Sequence, residues 1–113
     1  MMVSSLRTLQ QRSIPFLFTD RHAYLVAAQF YSDLARLDQI DWDMLQRRDF
    51  RNDPDDPSKE ERYQAEALVH RHLPVDALSG FVCYNDNVLK SLTGALAKRK
   101  QTMKVVKMPD WYF

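Results

Sequence analysis

The sequence predicts a mixed α/β fold, and three observations carry that prediction. Short runs of strand formers, Ile14-Pro15-Phe16-Leu17-Phe18-Thr19, Phe81-Val82-Cys83-Tyr84 and Lys104-Val105-Val106-Lys107-Met108, punctuate the chain. Between them lie stretches in which apolar residues recur every three or four positions, the period of a helix with one buried stripe. Such interleaving of the two periods marks a mixed class rather than a bundle or a sandwich. With 113 residues, 45% of them hydrophobic, there is material for the core of one domain.

The elements follow in order. Val3, Leu6 and Leu9 make residues 1–11 a weakly amphipathic helix. The run at residues 14–19 reads as a strand, with Pro15 near its start, where a strand tolerates proline. Thr19-Asp20 then offers an N-cap, and Ala23, Val26, Ala27, Phe30, Leu34 and Leu37 predict a helix over residues 19–37 with Arg21, Gln29, Asp33 and Arg36 on its solvent face. A short helix is expected from Asp43. Two prolines and three aspartates make residues 51–58 an exposed loop, the natural place for mobility. Residues 59–73 are ambiguous: Glu, Gln, Ala and Leu favour helix, whereas Ala65, Ala67 and Val69 alternate with Gln64, Glu66 and His70 as in a strand. Pro74 opens one helical turn at a first helical position, and Gly80 ends it before the strand at residues 81–84. Asn85-Asp86 caps an amphipathic helix carrying Val88, Leu89, Leu92 and Leu96. Residues 104–108 form a last strand, broken by Pro109.

Composition excludes several classes. No apolar run approaches the roughly 18 residues that span a bilayer, and the N-terminus lacks the pattern of a signal peptide. Cys83 is the only cysteine, so there is neither a disulfide framework nor a cysteine-built zinc site; a reducing cytoplasm is the expected compartment. Within its apolar run Cys83 is expected to be a small core residue. Two glycines are too few for a Walker or Rossmann phosphate loop. The net charge of +1 hides an asymmetry, because the stretch from Asn87 to Pro109 holds six basic residues and no acid. That field suits a polyanion, and equally a solvated helix end complementing the helix dipole.

Three sets of residues bear on chemistry. His70 and His72 form a His-x-His pair, but no motif positions a third ligand, so no metal site is expected. No serine stands between nucleophile-elbow glycines. Glu66 is set among small apolar side chains, unlike Glu60 and Glu61 in their charged run, and a carboxylate so placed is partly desolvated. Such a group can hydrogen-bond a sugar hydroxyl or accept a proton; an exposed glutamate on a helix face is the plainer alternative.

Four blocks, in order and at matching spacing, resemble the DarT family of bacterial DNA ADP-ribosyltransferase toxins. They are Ile14-Pro15-Phe16-Leu17-Phe18-Thr19-Asp20-Arg21-His22-Ala23, Leu37-Asp38-Gln39-Ile40-Asp41-Trp42, Gln64-Ala65-Glu66-Ala67-Leu68-Val69-His70 and Pro109-Asp110-Trp111-Tyr112-Phe113. The resemblance implies the C-terminal part of an ADP-ribosyltransferase fold, a split mixed sheet with flanking helices. It implies cleavage of the nicotinamide–ribose bond of NAD and transfer of ADP-ribose to a base, thymine, of single-stranded DNA. Glu66 maps to the catalytic glutamate and His22 to a histidine near the DNA substrate. Ala67 stands where the family often has an aromatic residue. A macrodomain-type antitoxin is the implied protein partner. Because the resemblance reaches only the C-terminal half of the family's domain, residues 1–113 are expected to be a partial domain whose N-terminal half, carrying most of the NAD site, is missing. Two alternatives remain: an inactive remnant that binds DNA or an antitoxin, and an unrelated small interaction module. The resemblance also settles the ambiguous stretch, predicting a strand around Glu66 with the strand around Val69 beside that around Phe16.

Overall fold

A computed structural model describes residues 1–112. In chain order the elements are β1 (Met2–Val3), α1 (Leu6–Gln11), β2 (Phe16–Thr19), β3 (Phe30–Tyr31), a 3-10 helix (Leu34–Gln39), α2 (Trp42–Arg47), α3 (Lys59–Arg62) and β4 (Ala67–Val69). A 3-10 turn (Val75–Ala77), β5 (Gly80–Cys83), α4 (Asp86–Lys98), β6 (Val105–Lys107) and a final 3-10 turn (Pro109–Trp111) complete the chain. The elements fall into two compact units, Ser13–His72 and, around it in sequence, Met1–Arg12 with Leu73–Phe113. Phe113, the end of the last resembling block, lies outside the described residues.

In the terminal unit β5 is the central strand. It pairs antiparallel with β1, Met2 opposite Phe81, and parallel with β6, Phe81 opposite Val105. Parallel neighbours need a crossover, and α4 supplies it. Asn85 caps α4 by accepting the Val88 N–H on Oδ1 at 2.9 Å, while Asp86 and Lys98 complement the dipole at its two ends. Gly80 is required where it stands. Its φ of +156° disfavours a side chain, and a Cβ there would meet the Lys104 carbonyl oxygen at 2.5 Å. Leu9, Ala77, Val82 and Cys83 form this unit's buried apolar core, as expected for the lone cysteine.

The middle unit is built on β2, which pairs antiparallel with β3 on one side and β4 on the other. Phe16 lies opposite Val69 and Leu17 opposite Leu68, the neighbour relation expected from the resemblance. Phe18, Ala28, Ile40 and Met44 are this unit's buried apolar residues, and Thr19, next to Phe18 on β2, is buried as well. Residues 59–73 resolve into both readings in turn: α3 occupies the charged start, β4 the apolar end, and Glu66 stands one residue ahead of β4. Its carbonyl still accepts the Thr19 N–H at 2.9 Å, continuing the ladder.

The helix expected over residues 19–37 does not form. Thr19 ends β2, residues 22–28 make two successive tight turns, Phe30–Tyr31 is a strand, and only Leu34–Gln39 is helical, as a 3-10 helix. The cause is tertiary. Ala23 N–H donates to the Glu66 carboxylate at 2.7 Å and Gln29 N–H to the Asp20 carboxylate at 3.0 Å, so side chains take amides that a helix would have used. Nor is the periodic stripe buried, since Val26 is fully exposed. Smaller differences occur at the ends of elements. The N-terminal helix starts only at Leu6 with Ser5 as cap, after a strand. The helix expected from Asp43 begins at Trp42 under an Asp41 cap, and Pro74 caps its turn instead of opening it.

Candidate active site

Glu66 and His22, remote in sequence, are brought together by the β2–β4 pairing. β2 delivers the chain to Asp20 and His22, and β4 carries Glu66 at its leading end. Thr19, fully buried, holds this junction: its hydroxyl donates to the Arg21 carbonyl at 2.5 Å and lies 3.3 Å from both the carbonyl and the amide nitrogen of Glu66. Oε1 of Glu66 accepts the Ala23 N–H and lies 3.4 Å from Nδ1 of His22. Nδ1 in turn accepts the Tyr24 N–H at 3.1 Å, which leaves the proton of the neutral ring on Nε2, free to donate elsewhere. Protonation at Nδ1 would turn the contact with Glu66 into an ion pair. The Glu66 side chain is 37% exposed and that of His22 50%, so both reach solvent from a shared backbone frame.

Beside the pair lies an open cleft of about 310 Å³, lined by His22, Tyr24 and Leu25 from the turn after β2, and by Pro57, Glu60, Glu61 and Gln64 from α3 and its flanks. The Asp/Pro-rich loop therefore reaches the cleft through Pro57. Neither Glu61 nor that loop is as free as composition suggests. Glu61 accepts from Arg21 Nη1 at 3.1 Å, and Arg21 also contacts Asp20 at 3.3 Å. Arg62 bonds Asp41 at 3.1 Å, the Asp56 carboxylate at 2.6 Å and the Ser58 hydroxyl, while the largely buried Lys59 reaches Asp49 at 3.1 Å. Hydrogen bonds from Arg51 and Lys59 hold the Asp49 carboxyl down to a pKa of about 2, and those from Arg62 and Ser58 do the same for Asp56. The Arg62 guanidinium is pushed up by its bonds to Asp56 and Asp41.

The sequence singled out Glu66 and His22, which the structure brings within 3.4 Å of each other, but not the groups that fix them. The Ala23 amide carries no side-chain signal, and Thr19 reads as a cap for a helix that is absent. His70 and His72 stand exposed at the far end of β4, away from the cleft lining. Among the described residues no group of three or more His, Cys, Asp or Glu is arranged to hold a metal ion, and no helix is long and apolar enough to cross a membrane.

A family described as "ssDNA thymidine ADP-ribosyltransferase, DarT" matches residues 1–113. A DNA ADP-ribosyl transferase of Escherichia coli O127:H6 (strain E2348/69 / EPEC) is 50% identical over 112 residues, covering 99% of this chain and 51% of its own length. Its counterpart from Thermus sp. (strain 2.9) is 33% identical, covering 99% and 53%. The structure of Thermus sp. 2.9 DarT in complex with NAD+ superposes with a TM-score of 0.89 at 29% identity, over 99% of this chain and 56% of that one. The same protein in complex with ADP-ribosylated ssDNA gives 0.88. The chain thus spans about half the length of the relatives it matches, and along nearly all of its own length shares their fold. Matched by the family along its whole length and by solved relatives over 99% of it, the chain belongs to the DarT family.

Proposed function

We propose that this chain carries the catalytic carboxylate, Glu66, of a DNA ADP-ribosyltransferase that uses NAD and modifies a thymine of single-stranded DNA. The observation that carries the reading is the anchored carboxylate: one oxygen is held by the Ala23 amide and faces His22, which lines a cleft. Breaking an N-glycosidic bond develops positive charge on the ribose, and a carboxylate fixed beforehand stabilises that charge without reorganising. Nicotinamide leaves with the bonding electron pair, a nitrogen of the base forms the new bond to the same carbon, and the base loses its proton. Glu66 serves the ribose side; His22, with Nε2 turned outward, serves the DNA side.

The residues in hand fit one end of NAD and no more. The cleft offers carboxylates, an imidazole and an amide, but no Lys or Arg lines it to meet a pyrophosphate. The remaining NAD contacts therefore belong to polypeptide corresponding to the half of the relatives that this chain does not span, and residues 1–113 act as a partial domain. A base must be unstacked to reach such a site, which costs least in a single strand. A macrodomain-type antitoxin that removes ADP-ribose, in a toxin–antitoxin pair acting in the cytoplasm, is the biological setting of this reading.

The test combines the chain with that other half and follows labelled NAD onto a thymine-containing oligonucleotide. Transfer is expected with both parts present and absent with either alone. Absence of transfer from the combined protein contradicts the reading.

A further inference from the structure

The geometry points to Tyr24 as the platform on which a nucleobase of single-stranded DNA stacks beside Glu66; this rests on the DNA reading above and names the residue that holds the strand. Tyr24 is 90% exposed, an unusual state for a large aromatic side chain, and it lines the cleft next to His22. The aromatic pairs of this unit, Phe18–Tyr31 and Phe50–Tyr63, leave it out. Its backbone, by contrast, is tied on all sides. The Tyr24 N–H is spent on His22 Nδ1, the preceding amide on Glu66, and Gln29 N–H on Asp20 closes the segment. A ring presented to solvent on a fixed backbone loses little freedom when it binds, which is the design of a recognition aromatic.

Charge decides what occupies the cleft. Among the described residues Glu60 and the Arg21-paired Glu61 line it and no Lys or Arg does, so nothing there attracts a phosphate backbone, whereas the uncharged face of a base needs no cation. Stacking on an aromatic ring holds a single-stranded base without demanding one sequence. The link from Tyr24 through His22 to Glu66 then sets the stacked base at the carboxylate that handles the ribose.

The test titrates the 113-residue chain, combined with the polypeptide corresponding to the other half, with a short thymine-containing single strand bearing 2-aminopurine beside the thymine, a probe whose fluorescence is quenched on stacking. Tyr24→Phe keeps the ring and should bind and quench within about twofold of the unaltered chain, whereas Tyr24→Ala should lose affinity on the order of tenfold or more, with the quench. Because the ring is exposed, an unchanged circular dichroism spectrum is expected for both variants. Parallel titration with NAD alone should show no difference among the three. Equal binding by Tyr24→Ala, an equal loss in Tyr24→Phe, or a loss confined to NAD overturns the assignment while leaving the DNA reading standing. Failure of the unaltered chain, combined with the other half, to bind the strand overturns both.

Discussion

One oxygen of the Glu66 carboxylate is anchored by a backbone amide. Ala23 N–H holds Oε1 and His22 Nδ1 lies 3.4 Å away, so replacement by glutamine keeps the shape and removes the charge on which the proposed mechanism relies. Loss of one such electrostatic contact costs roughly 10²–10³-fold in rate. His22→Ala removes the outward-facing Nε2 and should impair DNA modification more than NAD binding, read as a larger change in the DNA titration than in the NAD titration. Gly80 makes a different prediction, confined to stability. Gly80→Ala places a methyl group 2.5 Å from the Lys104 carbonyl oxygen at a φ of +156°. The variant should lose more than about 1 kcal/mol, measured by denaturant unfolding, because neither the backbone nor the neighbour can give cheaply. Unaltered stability would mean that β5 and β6 separate more readily than their register implies.

At the scale of elements, α3 acts as a clasp. From one turn of helix Lys59 and Arg62 reach Asp49, Asp56 and Asp41, so the long Asp/Pro-rich segment is tied at several points instead of hanging free. Arg62→Met keeps the stem and drops the fork; it should speed proteolytic cleavage within residues 48–58 while leaving α4 and its sheet protected. The clasp also has a pH signature. Asp49 and Asp56 titrate at about 2 when folded, below the ordinary Asp value near 3.9. Their stabilising contribution is therefore complete above about pH 4 and is lost as pH falls toward 2, the sign expected when the unfolded chain binds protons first. Proteolytic sensitivity of the loop should rise across that window, and sensitivity that stays flat would contradict the clasp. These elements also show what is legible locally. Gly80, the Asn85 cap and the leucine spacing announced β5 and α4 because every signal lies within the element itself. The stretch after Thr19 misled, since its amides bond carboxylates at Asp20 and Glu66, and only the second of those comes from far along the chain. At β4 the alternation left helix and strand open and the family resemblance decided, as pairing with β2 outweighs the helical propensity of Glu, Gln, Ala and Leu.

For the molecule as a whole, surface area bears on the partial-domain reading. A monomer of this mass exposes about 6,500 Å², and two independent bodies of half the mass about 7,800 Å². The chain exposes 8552 Å², with Val26, Met2, Tyr84 and Val75 among its most open apolar side chains. Even against the larger reference the excess approaches one face of a stable protein interface, on the order of 800 Å². The polypeptide corresponding to the rest of the relatives' length should accordingly raise the chain's melting temperature on mixing, in a concentration-dependent way. An unmoved melting temperature would contradict that docking.

The most direct measurement is transfer of label from NAD to a thymine-containing single strand by the combined protein, with Glu66 and with Glu66→Gln in the same 113-residue chain. The account predicts labelled DNA from the first and a rate lower by about 10²–10³-fold from the second, at equal folding by circular dichroism. Undiminished labelling by Glu66→Gln would remove Glu66 from the chemistry and the proposed active site with it.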